Sequence, residues 1–105
     1  MTVRYTMHNG KKTKLYPAFN TEAHQHDIAF RRVRLQNEIY ASYFPETDVE
    51  GRYPKLTDAE IDKAEKLVDQ LTEILEYTSF PVTYLPWDLY QIARETIMWA
   101  GCARG

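Results

Sequence analysis

Glycine is scarce in this sequence, and its four copies stand far apart, at positions 10, 51, 101 and 105. Loops that hold phosphate groups with backbone N–H groups need several glycines close together, as in P-loops and dinucleotide-binding motifs. The sequence therefore excludes both of these nucleotide sites.

Long apolar segments and disulfide partners are missing as well. No stretch approaches the roughly 18 apolar residues that a membrane-spanning helix requires, and the first residues include no apolar leader segment. Cys102 is the only cysteine, so the chain can form no internal disulfide, which is typical of a reducing compartment. We expect a cytoplasmic protein.

Residues with catalytic or metal-binding chemistry are few and badly spaced. His24 and His26 are two positions apart on a predicted helix, where side chains point in opposite directions and cannot share an ion. His24 and Asp27 could form a hydrogen bond, but no nucleophile accompanies them. No base stands near Cys102 in the sequence. We predict no enzyme activity, no metal and no cofactor.

What the sequence does contain is typical of one globular domain. Its 105 residues are 44% hydrophobic and 27% charged, with no low-complexity tract. The aromatic residues are two Trp, eight Tyr and four Phe, and tyrosine is enriched where proteins bind one another. We predict a single domain over residues 1–105, of α+β class, with an N-terminal β-hairpin packed on three helices.

Residues 2–16 predict the hairpin, because apolar and polar side chains alternate on both sides of Asn9-Gly10. A two-residue loop would put the apolar residues of the first strand on the same face as Lys12 and Lys14. A three-residue loop with Gly10 in the left-handed region gives one apolar face, and we favour it. This register would pair Tyr5 with Thr13 and Val3 with Leu15.

Three helices are predicted, over residues 21–43, 58–78 and 87–100. The first follows a cap at Asn20 or Thr21, and the second follows a capping box, Thr57-Asp58-Ala59-Glu60. The third has Pro86 in its first turn and meets Gly101 as a natural stop. The apolar residues of the first helix are expected to share one side: Ile28, Ala29, Val33, Leu35, Ile39, Tyr40 and Tyr43.

All five prolines follow a large apolar residue, and we interpret each pair as a boundary between elements. The pairs are Tyr16-Pro17, Phe44-Pro45, Tyr53-Pro54, Phe80-Pro81 and Leu85-Pro86. Residues 80–85 could form a short third strand at the edge of the hairpin.

Charge is distributed unevenly along the chain. Residues 1–44 carry a net charge of +4 and residues 45–105 a net charge of −6. The basic residues could bind an anionic ligand, with Tyr5, Tyr16 or Phe30 available for stacking, or they could simply be solvated. They are Arg4, Lys11, Lys12, Lys14, Arg31, Arg32 and Arg34.

Arg32 and Gln36 fall inside the apolar stripe of the first helix, where an unpaired guanidinium is costly to bury. Arg32 could reach the edge of the core, or it could pair with an acid of the second helix or of the loop before it. Alternatively, the two residues could belong to an anion site or an interface, because Arg holds carboxylate or phosphate through two hydrogen bonds.

The third helix carries a candidate contact strip of Trp87, Tyr90, Arg94 and Met98 at spacings of three and four. Trp, Tyr and Arg are the residue types most enriched at binding hot spots. The alternative interpretation is that these residues are part core and part scattered surface. The acidic side of the second helix is similarly either a solvated face or a docking face for a basic partner.

We hypothesise a small non-enzymatic binding protein that regulates or inhibits a larger macromolecular partner, as a homo-oligomer formed through the third helix. Accessory proteins of phages and mobile elements often have this profile, which is an analogy only. The alternative is a binder of nucleic acid or of a small anionic nucleotide, through the basic hairpin and the first helix.

Overall fold

The computed structural model of the chain describes residues 4–48 and 50–104, and describes side chains of this part up to residue 102. Its elements follow one another in the order β1 (Arg4–His8), β2 (Lys11–Asn20), α1 (Thr21–Tyr43), a 3₁₀ helix (Pro45–Thr47), α2 (Asp58–Glu76), β3 (Val82–Leu85) and α3 (Trp87–Arg104). None of the helices in these ranges is long and apolar enough to cross a membrane.

The strands form a three-stranded antiparallel sheet with the order β1-β2-β3, and the three helices pack against it. The predicted α+β class and the predicted third strand are therefore confirmed. The first half of β2 pairs with β1, and its second half, Tyr16 to Asn20, pairs with β3. Tyr16 thus stands where β2 passes from one partner strand to the other.

The preferred hairpin register is wrong. The loop has two residues, and both Asn9 (φ 54°) and Gly10 (φ 77°) lie in the left-handed region. This is the turn geometry whose twist matches that of two paired strands, and Asn-Gly is its favoured sequence. Tyr5 therefore pairs with Lys14, not with Thr13.

The other half of that register prediction fails at Leu15, which pairs with Arg4. Val3, its expected partner, lies outside the described residues. The apolar residues of β1 consequently share a face with lysines, as in the register that was not preferred. The side chains tolerate this arrangement because the Lys12 ammonium lies over the Tyr5 ring, with 4.6 Å between Nζ and the ring centroid.

The proline prediction holds for Pro45, Pro81 and Pro86, each of which stands next to an element end, and is wrong for Pro17. Pro17 lies inside β2, where it pairs with Tyr84 and opens a register irregularity. Proline has no backbone N–H and is tolerated in sheets at such bulges. Pro17 therefore marks a change of partner strand. The Phe80-Pro81 peptide bond is cis.

Helix starts agree with the sequence better than helix ends do. The Asn20 side chain accepts a hydrogen bond from the Ala23 N–H, and Thr57 and Glu60 form the reciprocal capping box. However, α2 ends two residues before position 78, and α3 continues through Gly101 to residue 104. A glycine weakens a helix by only about 1 kcal/mol, so it permits a stop without imposing one.

The core lies where α1, α2 and α3 meet the β2–β3 half of the sheet. Thr21 joins α1 to the segment before β3, because its backbone N–H donates to Pro81 O and its hydroxyl donates to Ser79 O. The most deeply buried apolar side chains are those of Ile28, Leu71, Ile74, Leu85, Ala93 and Ala100.

The apolar side of α1 is only partly buried. Ile28 and Leu35 are buried in the core, but Val33, Tyr40 and Tyr43 are more than half exposed, at 52%, 55% and 57%. The predicted stripe covers a wide arc of the helix, and α2 and α3 cover only part of that arc. One apolar region of α1 therefore faces solvent.

Candidate binding surface

Three aromatic rings meet where the sheet joins α3. Tyr16 comes from the changeover point of β2, and α3 starts immediately after β3, which places Trp87 and Tyr90 beside it. The Trp87 and Tyr90 rings are stacked, with centroids 5.3 Å apart and planes 11° apart. The Tyr16 centroid lies 5.3 Å from that of Trp87 and 6.1 Å from that of Tyr90.

Two cations flank these rings. The Lys14 Nζ lies 5.2 Å from the Tyr16 ring centroid, and the Arg94 guanidinium carbon lies 5.7 Å from that of Tyr90. Arg94 also donates a hydrogen bond of 3.4 Å to the Tyr90 hydroxyl. We call this set of five residues the junction surface: Lys14, Tyr16, Trp87, Tyr90 and Arg94.

The junction surface is preorganised and accessible. Trp87 is 49% exposed, Arg94 and Lys14 are exposed, and Tyr16 and Tyr90 are half-buried. Each ring packs against at least one other ring of the cluster, so its rotamer is held before any ligand arrives. Met98, the fourth residue of the predicted strip, is 68% exposed and lies one turn beyond Arg94, outside the ring cluster.

The hairpin extends the same chemistry. In addition to the Lys12–Tyr5 pair, the Arg4 guanidinium lies 4.1 Å from the centroid of Tyr84 in β3. Lys11 is exposed beside the turn. The first 21 residues contain four Lys and Arg side chains and no Asp or Glu. The sheet end of the molecule is therefore both aromatic and locally cationic.

The predicted arginines of α1 lie in a different cluster, around Trp99 near the other end of α3. The Arg31 guanidinium carbon is 4.1 Å from the Trp99 centroid and that of Arg34 is 5.9 Å away, while Phe30 stacks on Trp99 at 5.8 Å. The pKa of Arg31 lies below its usual value, because the lowering effect of burial is larger than the raising effect of the nearby Glu38. This cluster is about 18 Å from Trp87 along the helix.

Arg32 and Gln36 do not join either cluster. Arg32 is half-buried, its Nε is buried without a hydrogen-bond partner, and no carboxylate of the described residues forms an ion pair with it. Of the two alternatives for Arg32, pairing with an acid is therefore not found in this part of the chain. Gln36 is exposed and lines a groove of about 320 Å³ between α1 and α2, together with Tyr40 and Tyr43.

A further groove runs between the three helices and has a volume of about 610 Å³. Leu35, Leu67 and Ile92 form part of its floor, and side chains of both charge signs line its rim. Among the rim residues are Arg31, Lys63, Lys66, Glu38, Glu60 and Glu95. A rim of mixed sign selects neither an anion nor a cation.

The histidines contribute local contacts. His24 Nδ1 is 3.0 Å from Asp27 Oδ2, which confirms the predicted hydrogen bond, although Asp27 is buried and not part of the surface. His8 Nδ1 is 3.1 Å from the Tyr77 hydroxyl and 3.7 Å from Glu73 Oε1, so it ties the hairpin to the end of α2. Burial raises the pKa of Tyr77, as Glu73 does to a smaller extent.

Within residues 4–48 and 50–104 there is no group of three or more His, Cys, Asp or Glu side chains that could hold a metal ion. Cys102 is exposed. No protein-family model matches the chain, and no curated protein or solved structure shows significant similarity to it.

Sequence patterns found the residues of the junction surface but not their assembly. Trp87, Tyr90 and Arg94 are neighbours on one helix face, which their spacing predicts. Lys14 and Tyr16 join them only because β3 pairs with β2 and leads directly into α3. The sequence signal for this assembly is the short extended segment that ends at Leu85-Pro86, immediately before Trp87.

Proposed function

We propose that this protein is a non-enzymatic binding protein that regulates or inhibits a larger protein partner, and that the junction surface contacts an acidic patch of that partner. The observation that most supports this proposal is the cluster of Tyr16, Trp87 and Tyr90, with Lys14 and Arg94 at its rim. Such aromatic and arginine side chains dominate the energetics of protein interfaces. Because packing already holds the rings, binding them costs little side-chain entropy.

Local charge supports an acidic protein surface as the target. The junction surface adjoins a hairpin that has only basic charges, and carboxylates of a partner would complement Lys14 and Arg94. The chain as a whole has a net charge of −2, and α2 carries seven Asp and Glu against two Lys. A long polyanion would meet repulsion from α2, whereas a compact protein with one acidic patch would not.

Nucleic acid is a second candidate, favoured by hairpin cations that lie over the exposed ring of Tyr5 and the half-buried ring of Tyr84 in β3. The Lys12–Tyr5 and Arg4–Tyr84 pairs offer a phosphate contact next to a stacking surface. A labelled single-stranded oligonucleotide at low salt distinguishes the two candidates. Binding that falls steeply with salt and is lost in a K12A/K14A variant would favour nucleic acid over protein.

The protein proposal is tested by comparing two double variants in affinity capture from the native host. Trp87→Ala/Arg94→Ala removes the junction surface, and Tyr43→Ala/Arg52→Ala removes an exposed tyrosine and an exposed arginine elsewhere. We expect wild type and the control variant to capture the same protein. That protein should be absent when the junction variant is used.

That protein is then purified and its affinity measured by calorimetry. We expect the junction variant to weaken binding at least about 30-fold, equivalent to ~2 kcal/mol, with unchanged affinity for the control. Equal affinities for wild type and the junction variant would overturn the proposal.

A further inference from the structure

One long face of α1 carries exposed residues at a regular spacing. We call it the outer strip, and it consists of Ala23, His26, Phe30, Val33, Asn37, Tyr40 and Phe44. All seven are exposed, and the four large apolar members have exposed fractions of 48% (Phe30), 52% (Val33), 55% (Tyr40) and 48% (Phe44). The core of the monomer therefore does not account for these residues.

The spacing along the outer strip alternates between three and four residues over three heptads. This repeat of 3.5 residues keeps a stripe aligned with a second helix along its whole length, as in coiled coils. Packing against the monomer core instead uses a different face of α1, which contains Ile28 and Leu35. One face of α1 is therefore buried in the core, and the outer strip lies on another, exposed face.

The neighbours of the outer strip lie beside it and leave it open. Trp99 stacks on Phe30 from α3, and the Asn37 amide donates a hydrogen bond of 3.5 Å to the Tyr53 hydroxyl. Tyr40 and Phe44 pack on each other with centroids 5.0 Å apart, which continues the strip one residue beyond the end of α1.

The exposed area of the chain is larger than a compact monomer of this size requires. A 12.4 kDa monomer is expected to expose about 6,100 Å², whereas this chain exposes 7392 Å². Its radius of gyration is 15.5 Å, against about 13 Å for a compact domain of this length. The excess over the whole chain, roughly 1,300 Å², is larger than the ~800 Å² that each partner buries in a standard interface.

We propose that the outer strip is a homodimer interface, in which α1 packs against α1 of a second copy of this chain. A matching partner must present a helix with exposed apolar residues at the same 3.5-residue repeat. A second copy of the chain presents such a strip. The apolar arc of α2 does not, because its residues Ile61, Ala64, Leu71 and Ile74 are buried in the core.

The chemistry of the outer strip also suits self-association. None of its seven members is Lys, Arg, Asp or Glu, so two copies meet without like-charge repulsion in the seam. Asn37 lies inside the strip, between Val33 and Tyr40, and a single Asn within such a seam favours partners that place a polar group opposite it, at some cost in stability. This interface is distinct from the junction surface, so both can be occupied together.

Light scattering coupled to size exclusion, at micromolar protein and with reductant to keep Cys102 free, tests the proposal. Wild type is expected at twice the 12.4 kDa of one chain, and Val33→Asp/Tyr40→Asp at the mass of one chain. The matched control is Met98→Asp, an exposed apolar residue of α3. Circular dichroism checks that each variant keeps its helices.

The proposal is overturned if wild type is monomeric or if the dimer survives V33D/Y40D. It is also overturned if M98D dissociates the dimer, because that result would place self-association on α3. Asn37→Leu provides an independent arm that does not depend on a disruptive substitution. Replacing the seam amide with an apolar side chain is expected to tighten the dimer at least about tenfold. A dissociation constant unchanged or raised by N37L contradicts the proposal.

Discussion

The two tryptophans of α3 stand at opposite ends of the helix, and each lies beside aromatic and arginine side chains. Around Trp99, the Phe30 and Arg31 side chains of α1 cover the indole and leave it half-buried. Trp87 instead packs against Tyr16 and Tyr90 and remains 49% exposed. The same residue types therefore close a helix contact at one end and form an open surface at the other.

The difference follows from which element faces each tryptophan. Trp99 faces the long helix α1, whose Phe30 and Arg31 side chains cover the indole ring. Trp87 begins α3 at the edge of the sheet, where its ring packs against Tyr16 of β2 and against Tyr90 of α3 itself. Composition alone does not distinguish a structural cluster from a binding surface, whereas the exposed fraction does.

Stability separates the two ends most strongly. We expect Trp99→Ala to lower the free energy of unfolding by about 3 kcal/mol, because it removes ring packing between α1 and α3. Trp87→Ala is expected to cost about 1 kcal/mol or less, since much of its surface is already solvated. Urea unfolding followed by circular dichroism gives both values. Equal losses would remove the distinction between the two clusters.

The arginines provide a smaller version of the same test. Arg31→Ala should cost about 1 kcal/mol, because the half-buried guanidinium lies over the Trp99 ring. Arg94→Ala should leave stability unchanged to within about 0.5 kcal/mol, since Arg94 is exposed. Thermal unfolding of both variants at matched salt compares them. A loss for Arg94→Ala as large as that for Arg31→Ala would make the junction arginine structural.

The smallest expected effect concerns the helix end just beyond Trp99. Gly101→Ala should raise stability by about 0.5 kcal/mol, because Gly101 is helical and an added Cβ meets no atom within 4 Å. The same substitution at Gly10, whose φ is +77°, should lower stability because the hairpin turn needs the left-handed region. Chemical unfolding measures both. A stabilising Gly10→Ala, or a destabilising Gly101→Ala, would contradict these backbone assignments.

Local signals predicted the helices well. The cap at Asn20 and the capping box at Thr57 and Glu60 each join a side chain to a backbone N–H three residues away, so the sequence alone indicates them. Helix ends were less predictable, because Gly101 stops a helix only when the following chain makes better contacts elsewhere.

Longer-range arrangements were harder to predict, since they depend on what lies opposite. The sequence places Val33 and Tyr40 on the broad apolar side of α1, but only tertiary packing determines that this part faces solvent. The hairpin register was missed because we required one apolar face, whereas the lysine side chains pack over tyrosine rings. The junction surface required the β2–β3 pairing, which four residues of β3 signal only weakly.

The two indole N–H groups give a direct test of the central proposal, because the chain has only two tryptophans. Nuclear magnetic resonance spectra of the ¹⁵N-labelled protein resolve both signals, which Trp87→Phe and Trp99→Phe variants assign. When the captured protein partner is added, the Trp87 signal is expected to shift or broaden while the Trp99 signal stays in place. A complex that moves the Trp99 signal and leaves the Trp87 signal unchanged would contradict binding through the junction surface.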